Sequence, residues 1–167
     1  TQWSPTMDNS FSADDYMSSN PVVFHPDTDI YEAIETLIRR KVSGGTVIDD
    51  NRRVVGIISE MDCLQAIVNF GYFREGGGKV KDFMSTDKID FMGPHMNIVD
   101  AAQKMLLTKR RRLPVIEQDE FLGQISARSI LEAFITAIQK QKTNENDKYK
   151  LMRNNFARFY KSVMDEN

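Results

Sequence analysis

The chain has 167 residues, enough for one compact domain or two small ones sharing a core. Hydrophobic residues make up 41% and charged residues 28%, which excludes wholesale disorder. The 22 Lys and Arg against 24 Asp and Glu leave a net charge of −2, which excludes a surface built throughout for a polyanion.

Residues 1–14, rich in Ser, Asn and Thr, are expected to form a flexible lead-in. A polar-capped helical turn then opens at Asp15, followed by a brief strand, Val22–Phe24, and a turn at Pro26. The spacing of Ile30, Ala33, Ile34, Leu37 and Ile38 predicts an amphipathic helix, with Asp29-x-x-Glu32 as its capping box. Two short strands follow, Thr46–Ile48 and Val54–Ile58, joined by the polar turn Asp49–Arg52. A second helix starts at Ser59 and carries Leu64, Ile67 and Val68. Residues 73–80, with Gly76, Gly77 and Gly78, read as a flexible linker.

The same series then begins again. Asp15-Tyr16-Met17-Ser18 recurs as Asp82-Phe83-Met84-Ser85, 67 residues on. Pro26, Ile30 and Ala33 recur as Pro94, Ile98 and Ala101, and Val47-Ile48 as Val115-Ile116, at an offset of 68. Gly56-Ile57-Ile58-Ser59 is matched by Gly123-Gln124-Ile125-Ser126, and Leu64 and Ala66 by Leu131 and Ala133. Ordered identities with only single-residue slips mark a tandem duplication. The second copy is therefore expected to hold a strand at Ile89–Phe91, a helix facing inward through Ile98, Ala101, Ala102, Met105 and Leu106, strands at Pro114–Ile116 and Phe121–Ile125, and a helix from Ser126. One unit of about 55 residues buries too little to be comfortable alone. Two units packed sheet to sheet share a core and, by their pseudo-twofold relation, create two equivalent clefts. Beyond Gln139 seven basic residues stand between Lys140 and Lys161, with Tyr149, Met152, Phe156, Phe159 and Val163 at helical spacing. This reads as an extra basic amphipathic helix over 140–167, outside the duplicated units 15–72 and 81–139.

The strand–helix–strand–strand–helix unit, with glycine entering the last strand and serine ending it, resembles the CBS domain, named after cystathionine β-synthase. The resemblance rests on Lys41 to Asp49 and Gly56 to Asp62 in the first copy, and on Arg111 to Ile116 and Gly123 to Ser129 in the second. It implies an α+β fold of two CBS repeats with a C-terminal helix, the pairing known as a Bateman module. It further implies a non-catalytic regulatory module that binds an adenosine-containing ligand, with AMP first and ATP or S-adenosylmethionine as alternatives. Carried onto this chain, the G-x-x-S/T-x-x-D pattern implies that Ser59 and Asp62 hold the ribose, since an ionised carboxylate can accept from both vicinal hydroxyls. The resemblance likewise implies that Ser43 and Gly44 border the same cleft and that the backbone around Thr86 and Ile89 meets the base. Ser59 and Asp62 can equally form a helix N-cap pair, and the two roles are compatible.

In the second copy Ser129 stands where the carboxylate is expected. Ser126 takes the place of Ser59, and Arg111, Arg112 and Arg128 supply basic groups for a phosphate. The run Lys109–Arg112 can also be a solvated helix end. One competent cleft, using Asp62, is expected beside a weaker one. His25 and His95 read as turn residues, no metal-ligand spacing or catalytic motif is present, and neither a catalytic residue nor a metal is expected. Cys63 alone rules out an intramolecular disulfide, no apolar run approaches the ~18 residues of a membrane span, and no signal-peptide pattern is visible, so a cytoplasmic protein is expected. The resemblance also implies a homodimer, acting on a protein partner that the sequence does not name. The alternative is a ligand-independent dimerisation scaffold that uses the C-terminal helix. Nucleic acid is not an expected partner.

Overall fold

A computed structural model describes residues 12–18, 20–74 and 76–165, so the expected flexible segment falls almost wholly outside the described residues. The chain divides into two units, residues 1–130 and 131–167. The first unit holds the first repeat and most of the second. Helix α1 (Ala13–Tyr16) precedes β1 (Val23–Phe24), α2 (Ile30–Arg40), β2 (Gly44–Ile48), β3 (Val54–Ser59) and α3 (Glu60–Phe73). The second repeat follows with α4 (Val80–Phe83), α5 (Ile98–Thr108), β4 (Arg112–Glu117), β5 (Glu120–Ser126) and the start of α6 (Ala127–Asp165).

Local chemistry sets the helix ends. Asp29 caps α2 by accepting from the N–H groups of Tyr31 and Glu32, and Lys41 closes it in the left-handed region with φ 52°. Asn97 caps α5 by accepting from the N–H of Asp100, and Lys109 closes it at φ 54°. β2 and β3 pair antiparallel, as do β4 and β5, and the register slips between Val47 and Ile48 in one hairpin and between Val115 and Ile116 in the other. The duplication thus extends to an irregularity of the sheet.

The first strand of the second repeat departs from expectation. β1 pairs with β2 in parallel, and Thr46 N–H donates to the Val22 carbonyl at 3.1 Å. The position equivalent to Thr46 is Pro114, which has no N–H to give. No strand forms at Ile89–Phe91; the pairing shrinks to a single parallel bridge at Met92, which donates to the Pro114 carbonyl and accepts from Ile116.

The opening helices are exchanged between the repeats. α4 precedes the second repeat in sequence, yet its Val80 and Lys81 N–H groups donate to Thr28 and Pro26 of the first, and Val80 is fully buried among Val22, Phe24, Ile30, Leu37, Val47 and Ile58. α1 does the converse: Ala13 and Asp14 donate to Met96 and Pro94, and Ala13 is buried. Past each helix the chain bridges the other repeat's last strand, Ser85 with Ile57 and Ser18 with Gln124. A methionine fills the space beside each strand's glycine. A Cβ on Gly56 would lie 2.6 Å from Met84 Sδ, and one on Gly123 3.0 Å from Met17 Sδ, so both glycines make room for the incoming segment. Arg52 ties the two hairpins, accepting from Phe121 N–H and donating to its carbonyl at 3.2 Å.

The second unit is helical. The extra helix expected over 140–167 is no separate element: α6 runs unbroken from Ala127 to Asp165, over 39 residues. Its counterpart α3 stops at Phe73, where Arg74 turns left-handed ahead of the glycine cluster. Between Ala127 and Asp165 there is neither Gly nor Pro to end the helix, and the Thr136 and Thr143 hydroxyls donate to carbonyls four residues back.

Candidate functional site

A cleft of about 500 Å³ opens between the repeats, a size suited to a small molecule. One wall is made where β2 begins and where β3 runs into α3, bringing in Ser43, Gly44, Ser59 and Asp62. The facing wall comes from the segment Ser85 and Asp87–Asp90 and from Lys109–Pro114. Antiparallel pairing of Gly44 with Ser59 holds the first wall together. Ser85, on the facing wall, is tied to the first by its two backbone bonds to Ile57 of β3.

Ser59 and Asp62 form a complete capping box. Asp62 Oδ2 accepts from Ser59 N–H and Ser59 Oγ, both at 2.8 Å, and Ser59 Oγ accepts from Asp62 N–H at 3.2 Å. Oδ1 points elsewhere and accepts from Ser85 Oγ at 3.4 Å. One carboxylate oxygen therefore secures the helix start while the other lies on the cleft side. The first turn of α3 adds its N–H groups and the positive end of its dipole. Gly44 borders the cleft, but the neighbouring strand demands glycine there: a Cβ would stand 2.8 Å from the Ile58 carbonyl oxygen.

The structure brings Ser43, Gly44, Ser59, Asp62, Ile89, Arg111 and Arg112 into this one cleft. Thr86 is not among its lining residues, although its neighbours Ser85 and Asp87 are. Ser126 and Arg128 lie at the pseudo-equivalent position in the other repeat. There the hydroxyls of Ser126 and Ser129 are 3.1 Å apart, Ser129 Oγ donates to the Ser126 carbonyl at 2.8 Å, and a cap forms without a carboxylate. Sequence reasoning missed Ser85, Lys88, Asp90 and Arg110. Ser85 carried a signal, as the last residue of the repeated Asp-aromatic-Met-Ser stretch. Asp90 and Arg110 emerge only from the fold, which sets Asp90 Oδ2 3.9 Å from Arg110 Nε.

Beneath the site, Cys63 is buried and free. Burial, reinforced by the charges of Asp62 and Glu60, raises its pKa, so the thiol stays protonated and poorly nucleophilic. Among the described residues no group of three His, Cys, Asp or Glu side chains could hold a metal ion. No helix of the described residues is long and apolar enough to cross a membrane.

The sequence pattern of the CBS domain matches residues 13–69 and 80–136. The chain belongs to the CBS domain family. Each CBS match begins at the helix that packs on the other repeat, so the exchange of α1 and α4 is internal to the pair. The CBS domain-containing protein CBSX2 of Arabidopsis thaliana, chloroplastic, is 29% identical over 169 residues, covering 85% of this chain and 70% of its own. An uncharacterized 33.4 kDa protein of Thermofilum pendens is 26% identical over 117 residues, and there the match spans only 37% of the relative's length. Among solved structures, CBSX2 in complex with AMP superposes with a TM-score of 0.66 at 30% identity, covering 77% of this chain and 98% of that one. A putative acetoin utilization protein (AcuB) from Vibrio cholerae shares the fold with a TM-score of 0.69 at 21% identity, over 80% of this chain and 96% of that one.

Proposed function

We propose that this CBS pair is a non-catalytic sensor of an adenine nucleotide, bound in the cleft between the repeats. The observation that carries the reading is the division of labour at Asp62: Oδ2 completes the helix cap and Oδ1 is left on the cleft side, suited to a ribose diol. Arg111 and Arg112 on the facing wall suit the phosphate. The AMP complex of CBSX2 supports the same ligand class. The cationic run Lys109–Arg112 on the facing wall favours an anionic nucleotide over S-adenosylmethionine, whose sulfonium is itself cationic. A ligand held by Asp62 of one repeat and Arg111 of the other favours one packing of the two repeats. It signals only to the extent that its affinity differs between packings.

Thermal unfolding with adenosine, AMP, ADP, ATP, S-adenosylmethionine and a guanosine nucleotide tests this. At about 100 times Kd a ligand selective for the folded state adds about 2.7 kcal/mol, which raises the Tm of a chain this size by about 5–10 °C. No shift with any adenosine compound, in protein shown to be ligand-free, overturns the reading.

A second reading, an interaction scaffold, has its own observation. α3 leaves Met61, Leu64, Ile67 and Phe70 exposed, with Met61 at 74%, an apolar surface suited to a homodimer contact. Dimerisation of equal strength with and without nucleotide, in sedimentation velocity, favours the scaffold.

A further inference from the structure

We propose that α6 pairs with the α6 of a second copy of this chain as an antiparallel coiled coil over residues 131–163, an interface separate from the nucleotide cleft. The helix carries an unbroken alternation of three- and four-residue steps: Leu131, Ile135, Ile138, Lys142, Glu145, Tyr149, Met152, Phe156, Phe159 and Val163. That is a seam repeating every 3.5 residues, the period a second helix requires and a lone surface helix does not. Among its described members the seam is largely open, with Leu131 65%, Tyr149 66% and Phe156 69% exposed and Ile138 half-buried. In heptad terms Ile135, Lys142, Tyr149, Phe156 and Val163 are a positions, and Leu131, Ile138, Glu145, Met152 and Phe159 are d positions.

The two polar members decide the partner and its direction. Side by side in parallel, two copies would stack Lys142 on Lys142 and Glu145 on Glu145, and would set Lys148 against Arg153 at the flanks. Run antiparallel about the middle of the seam, the same helix is its own complement. Ile138 faces Phe156, Lys142 lays its stem along Met152, and Glu145 meets Tyr149, whose hydroxyl can donate to the carboxylate. The outer layers pair Ile135 with Phe159 and Leu131 with Val163 by register. All ten positions are matched, as an isologous contact between identical surfaces demands. The one like-charge approach is Lys148 with its copy at the solvated flank, where screening is strong. A lipid surface is the poorer occupant despite the basic residues of this helix, because Glu145 lies in the middle of the apolar stripe and would be pressed into the bilayer.

Cysteine crosslinking of the full chain tests orientation directly. In a Cys63→Ala background, Gln141→Cys and Asn155→Cys introduce thiols at flanking positions that leave the seam intact. The antiparallel pair brings position 141 of one copy beside 155 of the other, while the two copies of position 141 stand about 18 Å apart along the axis. A short bis-maleimide is therefore expected to link a mixture of the two variants, to link neither variant alone, and to fail when Phe156→Glu is added. Nucleotide affinity should be the same with and without Phe156→Glu. Linking of Gln141→Cys to itself would overturn the antiparallel assignment. Absence of any link would overturn the pairing, and sedimentation of the protein with phosphatidylserine vesicles, lost in Phe156→Glu, would then assign the helix to membranes.

Discussion

At Asp62 two demands meet on one side chain, and they can be separated experimentally because the molecule contains its own control. Ser129, at the equivalent place in the second repeat, maintains a cap with a hydroxyl alone, donating to the Ser126 carbonyl and accepting from Ser126 N–H. Asp62→Ser transplants that arrangement. The helix start should survive, with a stability loss of no more than about 1 kcal/mol, the usual worth of a good cap. The acceptor proposed for the ribose disappears, and a hydrogen bond to a charged group is worth about 1.5–3 kcal/mol, so nucleotide affinity should fall about 10- to 100-fold. Calorimetric titration beside a urea unfolding curve reads both quantities, and undiminished affinity would remove Asp62 from the site. This residue was legible in the sequence because its spacing from Ser59 serves cap and site alike. Ser85 was marked by the repeat but its place was not legible, since nothing local to residues 82–85 reveals that the chain crosses to bridge Ile57.

Among the elements, the exchanged helices are the joints of the pair, and their electrostatics differ between the two ends. In one joint Asp27 holds Lys81 at 2.9 Å and Lys79 at 3.3 Å, linking the turn before α2 to α4. In the other the signs are reversed: Asp14 of α1 stands 3.7 Å from His95, an attraction that exists only when the imidazole is protonated. The hydrogen bonds from Lys81 and Lys79 hold the Asp27 carboxyl below its usual range, and the bond from Asp27 holds Lys81 above its own. A depressed carboxylate contributes stability above its unfolded value and loses it as pH falls through its folded value; the raised lysine contributes below its unfolded value and loses it as pH climbs through its folded one. The clamp therefore operates from mildly acidic to mildly alkaline pH. Asp27→Asn should unfold at a lower temperature than the parent near pH 7, and the gap should close only as pH falls through the lowered pKa of Asp27, where the parent loses the charge as well. Calorimetry across that range checks it, and a gap that persists at low pH would show a packing effect instead. The duplicated order of elements was readable from the 67- and 68-residue offsets, because hydrophobic period and turn chemistry agree in both copies. The exchange was not, since it is a choice between two partners of the same kind. The lost strand before α5 turns on one absent N–H at Pro114. The length of α6 was hidden by a change of composition at Gln139 that changes the solvent-facing residues without breaking the helix.

For the whole molecule, what matters is whether a ligand spans the repeats or merely rests on one of them. Asp62 and Ser59 belong to the first repeat, Arg111 and Arg112 to the second, and the cleft collects both pairs. If the phosphate meets the arginines, its contribution should be separable from that of the nucleoside. In the parent, AMP should bind about 10- to 100-fold tighter than adenosine, the worth of one or two charge-assisted contacts. In the double variant Arg111→Ala with Arg112→Ala, adenosine should keep its affinity while the advantage of AMP disappears. The advantage should also shrink with added salt in the parent, because the arginines are near enough to solvent for screening to reach them. The four affinities form a thermodynamic cycle whose closing term isolates the phosphate–arginine contact from any general loosening of the fold. Loss of adenosine and AMP affinity in equal proportion would mean that the arginines shape the cleft without touching the phosphate. An advantage that survives would place the phosphate on the α3 N-terminus alone, leaving the ligand held by a single repeat and unable to report on their packing.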